Sequence, residues 1–233
     1  GLTNEKLKEF GEQLKFYKGV PEIFQKTKDL IEKNSIYQEY DIKVEHYIVS
    51  TGMSQIIRGS SVMPYVENIW GCELIEGKDD AGDPCISEIG FTIDNTTKTR
   101  ALFEINKGVN SKDGREGVKV NTKIPEELRR VHFINMIYVA DGPSDIPAFS
   151  VVNKNAGATF AIYPKGDMKA MKQVEQMRVE GRINMYAEAD YTENTTAYMW
   201  ICAKITEFAE RIRSEEKQKI AKYAAFEGPK HII

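Results

Sequence analysis

Residues 134–149, Ile-Asn-Met-Ile-Tyr-Val-Ala-Asp-Gly-Pro-Ser-Asp-Ile-Pro-Ala-Phe, constrain the fold more than any other stretch of the chain. Met136 to Ala140 is an apolar run of strand length, and it delivers Asp141 and Asp145 into a turn built from Gly142 and Pro143. An apolar run bounded by turn residues reads as a strand buried on both faces, as in an α/β sheet. Ligands of open α/β sheets bind just outside the carboxyl ends of the strands. Paired carboxylates at that place suit a hard cation such as Mg²⁺, which takes oxygen ligands. The competing reading is a solvated Asp-Gly turn after a strand.

The rest of the chain supports that class. Thr3 is placed to cap a helix whose stripe is Leu7, Phe10, Leu14 and Tyr17, with Gly19 as its stop. Pro21 stands where a second helix begins, with Ile23, Thr27, Leu30 and Ile31 on its buried face. Residues 46–49 read as a strand ending at Ser50-Thr51-Gly52, followed by a helical stretch through Ile56 and Ile57. From about 72 to 106 the pattern changes to short strands, at 72–75, 86–93 and 101–105, separated by turn residues. A polar loop with Gly108, Gly114 and Gly117 leads to a short charged helix ending near Arg130. Beyond the strand at 136–140 come a helix, a strand at 159–163, a helix at 168–180 and a short strand at 183–187. A long helix then runs through Tyr198, Phe208 and Ile212 down to Phe226. Helices alternating with buried strands predict an α/β fold with a mainly parallel sheet.

Composition closes several classes. The 233 residues include 32 basic and 35 acidic side chains, and these interleave, so the charge pattern points away from nucleic acid. No apolar run approaches the ~18–20 residues of a membrane span, and no leader pattern opens the sequence, so a cytoplasmic protein without membrane contact is expected. Cys72, Cys85 and Cys202 lack a Cys-x-x-Cys spacing, and His46, His132 and His231 lack a partner at metal-ligand spacing. A dinucleotide oxidoreductase is disfavoured, since no Gly-x-Gly-x-x-Gly joins a strand to a helix.

Three segments carry chemistry together. Residues 47–52 present the Ser50 hydroxyl at a strand tip. Residues 103–108, Phe-Glu-Ile-Asn-Lys-Gly, present Lys107 at the end of another apolar strand, and the Asp141/Asp145 turn ends a third. A hydroxyl, an ammonium and paired carboxylates at strand ends can make a phosphate site. Ser50 and the amides of Thr51 and Gly52 would donate to phosphoryl oxygens, Lys107 would offset their charge, and Asp141 would hold Mg²⁺ bridging to the same group. Taken singly, Ser50 is a common turn former and Lys107 a common solvated lysine. Their weight lies in the order.

That order resembles the haloacid dehalogenase superfamily of phosphohydrolases over roughly residues 19–190. Ile48-Val49-Ser50 looks like its second motif, Lys107 its third, and Ala140-Asp141-Gly142-Pro143-Ser144-Asp145 its fourth. The segment 103–108, Arg129-Arg130, Glu180-Gly181-Arg182-Ile183 and Ala189-Asp190-Tyr191 are similar to the phosphoserine-phosphatase-like branch. The resemblance implies a Rossmann-like three-layer core, Mg²⁺, and hydrolysis of a small phosphorylated substrate, a phosphomonoester, through a phospho-aspartyl intermediate. It implies catalytic roles for Ser50 and Lys107, phosphate binding by Ser50, Thr51, Gly52 and Lys107, and metal binding by Asp141. Asp145 would orient Asp141 or the metal's waters. Residues 1–18 would be the remnant of a helical cap, and residues 19–233 the core, with a small strand-rich segment at about 72–106.

The sequence departs from that family in one large respect. The family's Asp-x-Asp-x-Thr/Val segment, which carries the nucleophile and general acid on the first strand, has no counterpart among the 233 residues. Asp79, Asp80, Asp83 and Asp190 all lie outside an apolar strand-then-turn context, and Ala140 stands where the family usually has Gly. In the family's sheet order the missing strand lies between the strands at 47–50 and 136–140. The chain is therefore expected to be inactive by itself, with its own missing N-terminal segment as a partner. The alternative is a non-catalytic phosphate-binding or protein-interaction module on the same fold.

Overall fold

The computed structural model describes residues 1–111 and 116–224; Gly114, Phe226 and His231, named above, lie outside the described residues. Thr3 caps α1 (Asn4–Gly11) by accepting from the Lys6 amide. The stripe predicted a helix as far as Gly19, but the chain leaves the helix at Gly11. Glycine is a poor helix former, and this one lies against α4 (Ser54–Arg58), where a Cβ would sit 2.2 Å from the Ile56 carbonyl oxygen. After Pro21, α2 (Glu22–Glu32) buries Ile23, Thr27 and Ile31. It packs on the long α8 (Thr196–Ala224), with the short α3 (Ser35–Gln38) beside it.

The strands form two three-stranded sheets. In the first, β1 (Tyr47–Met53) pairs in parallel with β2 (Asn68–Lys78), which pairs antiparallel with β3 (Pro84–Phe91). The second is wholly parallel, in the order β4 (Ile137–Ala140), β5 (Ala158–Tyr163), β6 (Met185–Glu188). Its crossovers are α6 (Ile146–Lys154) and α7 (Met168–Val179). Phe160 and Ala161 at the centre of β5 are fully buried, as a strand covered on both faces requires. The fold is a mixed α/β one with mostly parallel strands, compatible with a Rossmann-like arrangement. It differs from the single sheet expected from the sequence. Both β1 and β4 end their sheets, and no strand among the described residues lies between them.

One predicted strand is a helix. Residues 101–105 belong to α5 (Thr97–Lys107), which buries Lys98, Ala101, Leu102 and Ile105 at helical spacing. Asp94 Oδ1 accepts from the amides of Thr96 and Thr97 at its start, and Gly108 in the left-handed region ends it. Five consecutive residues with three large apolar ones resemble a strand, but the turn chemistry on either side belongs to a helix.

This helix also fixes how the two sheets are oriented. At its C-terminal end the Asn106 amide group donates to the Val131 carbonyl just ahead of β4, and Arg130 donates to the Tyr47 hydroxyl at the start of β1. At its N-terminal end Lys98 reaches Asp145 just after β4. The segment entering it meets β1's tip, since Cys72 Sγ contacts both the Thr51 carbonyl and the Ile93 amide. So β1 and β4 run the same way, antiparallel to α5, and their carboxyl ends lie on the same side. They also share a core: Leu102, Ile105, Tyr138, Phe149 and Val152 pack with Tyr47, Val49 and Trp70 of the other sheet.

Candidate functional site

The site grows from the turn after β4. Asp141 to Ser144 lead through one 3-10 turn (Pro143–Asp145) into α6, and the Asp145 amide donates back to the Gly142 carbonyl. This buries Asp145. Its Oδ1 accepts from Lys98 Nζ at 2.7 Å and from the Tyr138 hydroxyl at 2.5 Å, while Oδ2 accepts from Ser144 Oγ at 3.0 Å. Burial, and then the Asp145 charge, push the Tyr138 phenol far above its ordinary range, so it stays a donor. A carboxylate that meets one cation and two hydroxyls in a poorly solvated place is held in a single position. Asp141, by contrast, is exposed at the rim of the same strand end.

The tip of β1 lies on the same side. Ser50 Oγ accepts from the Gly52 amide at 3.0 Å, so Ser50 is half-buried in a tight local turn, while Thr51 and Gly52 are exposed. The arrangement brings Ser50, Thr51 and Gly52 and the Asp141/Asp145 turn to the carboxyl ends of two parallel strands. It does not bring Lys107 there. Lys107 ends α5, about 13 Å along the helix axis from Lys98 at ~1.5 Å per residue. Its Nζ donates to the carbonyls of Val120 at 2.5 Å and Thr122 at 2.9 Å. The strand expected to present it is a helix pointing the other way, so its ammonium holds a loop at the amino-terminal end of the strands.

The lysine of this site is Lys98, and the sequence reading missed it together with Tyr138. A signal existed. Lys98 shares a helical face with Ala101, Leu102 and Ile105, and a lysine on an otherwise apolar face needs a buried counter-charge.

Mg²⁺ can be tested against these residues. No group of three or more His, Cys, Asp or Glu side chains that could hold a metal ion occurs among the described residues. Asp145 already neutralises Lys98, which leaves the single carboxylate of Asp141 to face an ion. Cys72, Cys85 and Cys202 are free thiols. No helix of the described residues is long and apolar enough to cross a membrane.

Fold and site together define a mixed α/β protein with a lysine–carboxylate pair at the carboxyl end of a parallel strand. The chain is 35% identical over 217 residues to an uncharacterized protein of Borreliella burgdorferi (strain ATCC 35210 / DSM 4680 / CIP 102532 / B31), a match covering 88% of this chain and 71% of that relative. It belongs to the same family as that protein. No family profile matches the chain, and no solved structure matches it.

Proposed function

We propose that this chain is the larger part of a phosphohydrolase of the haloacid dehalogenase type, acting on a small phosphomonoester. The observation that carries the reading is the buried Lys98–Asp145 pair, set where β4 ends and on the same side as the hydroxyl-bearing tip of β1. In this proposal the Ser50 hydroxyl and the Thr51 amide donate to the phosphoryl oxygens. Lys98 supplies positive potential, and Asp145 holds the ammonium in position. The nucleophilic aspartate comes from a strand seated between β1 and β4, both of which end their sheets. Its carboxylate oxygen attacks phosphorus as the P–O ester bond breaks, the strand's second aspartate protonates the ester oxygen so that it leaves as the alcohol, and water then hydrolyses the acyl phosphate to inorganic phosphate and the free carboxylate. The same strand would add the carboxylates that Mg²⁺ needs. Mg²⁺ keeps several waters and takes one or two carboxylates with phosphate oxygens, so Asp141 and a carboxylate of that strand would suit it, and the ion would offset phosphoryl charge.

A second reading, a non-catalytic phosphate-binding or protein-interaction module, is favoured by the missing Asp-x-Asp segment. One assay separates the two. The full-length gene product with Mg²⁺ and 4-nitrophenyl phosphate is expected to release phosphate, and residues 1–233 alone are expected to release none. No turnover by the full-length protein, with phosphate still binding, would favour the module.

A further inference from the structure

β4 is four residues long, and three of them are Ile137, Val139 and Ala140. The fourth, Tyr138, is buried in the core shared by α5 and α6, with its ring edge-on to Phe149 at 5.3 Å. An apolar side chain would fill that space equally well. A buried phenol needs a partner for its hydroxyl, and Tyr138 finds one in Asp145 Oδ1 at 2.5 Å. The same oxygen accepts from Lys98 Nζ at 2.7 Å, while Ser144 Oγ donates to Oδ2 at 3.0 Å.

This sharing decides how the ammonium of Lys98 is used. An ammonium has three N–H donors, and among the described residues Asp145 Oδ1 is the one hydrogen-bond acceptor of Nζ. A carboxylate free to turn would offer both oxygens to the ammonium and take two of the three donors. Here Oδ1 is shared with the phenol and Oδ2 is engaged by Ser144, so Asp145 takes one. Two donors of a lysine side chain that is only 9% exposed are then left for acceptors from outside these residues. A phosphate supplies such acceptors, and its charge suits the ammonium.

We infer that Tyr138 is a positioning residue of the phosphate site. Its hydroxyl holds Asp145 Oδ1, so that the carboxylate anchors Lys98 through one hydrogen bond and leaves the other two donors to phosphoryl oxygens. The inference rests on the phosphohydrolase reading and adds a residue to that site. Tyr138 itself touches neither the phosphate nor the reacting atoms.

The test is calorimetric titration of residues 1–233 with inorganic phosphate, with thermal unfolding as the control for folding. Tyr138→Phe keeps the ring and deletes the hydroxyl, and is expected to weaken phosphate binding roughly five- to tenfold. Made in a Lys98→Met background, where there is no ammonium to place, the same substitution should change the affinity by less than about twofold. Phe149→Leu removes the ring partner and keeps the hydroxyl, so it should lower thermal stability and leave phosphate affinity within about twofold. Tyr138→4-aminophenylalanine donates a weaker hydrogen bond from the same place and should cost about two- to threefold in affinity. If Tyr138→Phe fails the folding control, that variant decides the matter, and an unchanged affinity overturns the inference. Unchanged phosphate binding in a folded Tyr138→Phe overturns it too, as does an equal loss with and without Lys98, or an equal loss in Phe149→Leu. Each of these leaves the phosphohydrolase reading standing. Failure of unsubstituted residues 1–233 to bind phosphate overturns that reading and this inference with it.

Discussion

Lys98 Nζ lies 2.7 Å from Asp145 Oδ1, and the two side chains are only 9% and 4% exposed. They belong to different sheets' connections: Lys98 opens the helix that follows β3, and Asp145 closes the turn after β4. The pair therefore ties the two three-stranded sheets together at the end where ligands would enter. Breaking a buried pair by removing one partner leaves a charge without compensation, at a cost of about 3–5 kcal/mol. Lys98→Met and Asp145→Leu are each expected to lose that much in urea unfolding. The double variant, with no charge left, should recover a large part of it. Single losses below about 1 kcal/mol, or a double loss equal to the sum, would show that the pair is not coupled.

Lys107 predicts a contrast. Its ammonium donates to the Val120 and Thr122 carbonyls, so Lys107→Met removes two charge-assisted bonds and is expected to cost about 1.5–3 kcal/mol. The effect should be local, seen as faster amide exchange around residues 118–122. Phosphate affinity should stay within about twofold, while Lys98→Met should weaken it roughly tenfold or more. Tenfold weaker phosphate binding in the Lys107 variant would return that residue to the site and refute the placement described above.

His46 sets a pH dependence. Its Nε2 lies 2.9 Å from Thr27 Oγ and 3.2 Å from the Phe24 carbonyl, with the Phe24 ring stacked obliquely on it. Burial, and then the charge of Lys28, push its pKa down from 6.5 to about 4. The folded value is depressed, so the unfolded chain takes up the proton first as pH falls. The stabilisation is whole above about 6.5 and declines between about 6.5 and about 4, by at most ~1.4 kcal/mol per pH unit. His46→Gln should flatten the urea midpoint across that window. An unchanged slope in the variant would assign the acid sensitivity to other groups.

Much of this architecture was legible before any coordinates. The 136–140 strand, the strand at 46–49, the cap at Thr3 and the alternation of helices with strands all follow from local rules. The errors have a common cause. Residues 101–105 read as a strand because large apolar residues run together, while the helical signal lay in the flanks, in Asp94 and Gly108, and in the face containing Lys98. That error then placed Lys107 at a strand end it does not occupy. The α1 stripe over-extended for the opposite reason. Phe10, Leu14 and Tyr17 keep a helical spacing, yet two of them lie in the exposed segment 12–18, where close backbone contacts at Gly11 and Gly19 override periodicity. The division of the strands into two sheets was not readable from pattern alone, since each strand is equally apolar whether or not its neighbour is present.

The free edges make the last prediction. In a parallel strand, alternate amides point to opposite neighbours. Since, among the described residues, β1 pairs only with β2 and β4 only with β5, about half the amides in 47–50 and 137–140 have no sheet partner there. An unpaired amide or carbonyl shut off from water costs about 1–3 kcal/mol, so a strand that covers these half-buried edges must pair with both of them. In residues 1–233, amide exchange should therefore be slow throughout β5 and alternate between slow and fast along β1 and β4. In the full-length gene product the fast amides should become protected on both strands together, because one inserted strand covers both. Protection appearing on one strand alone would mean that the two edges have different partners. Protection already complete in residues 1–233 would show that the edges are satisfied without an insert, and would remove the place proposed for the nucleophile.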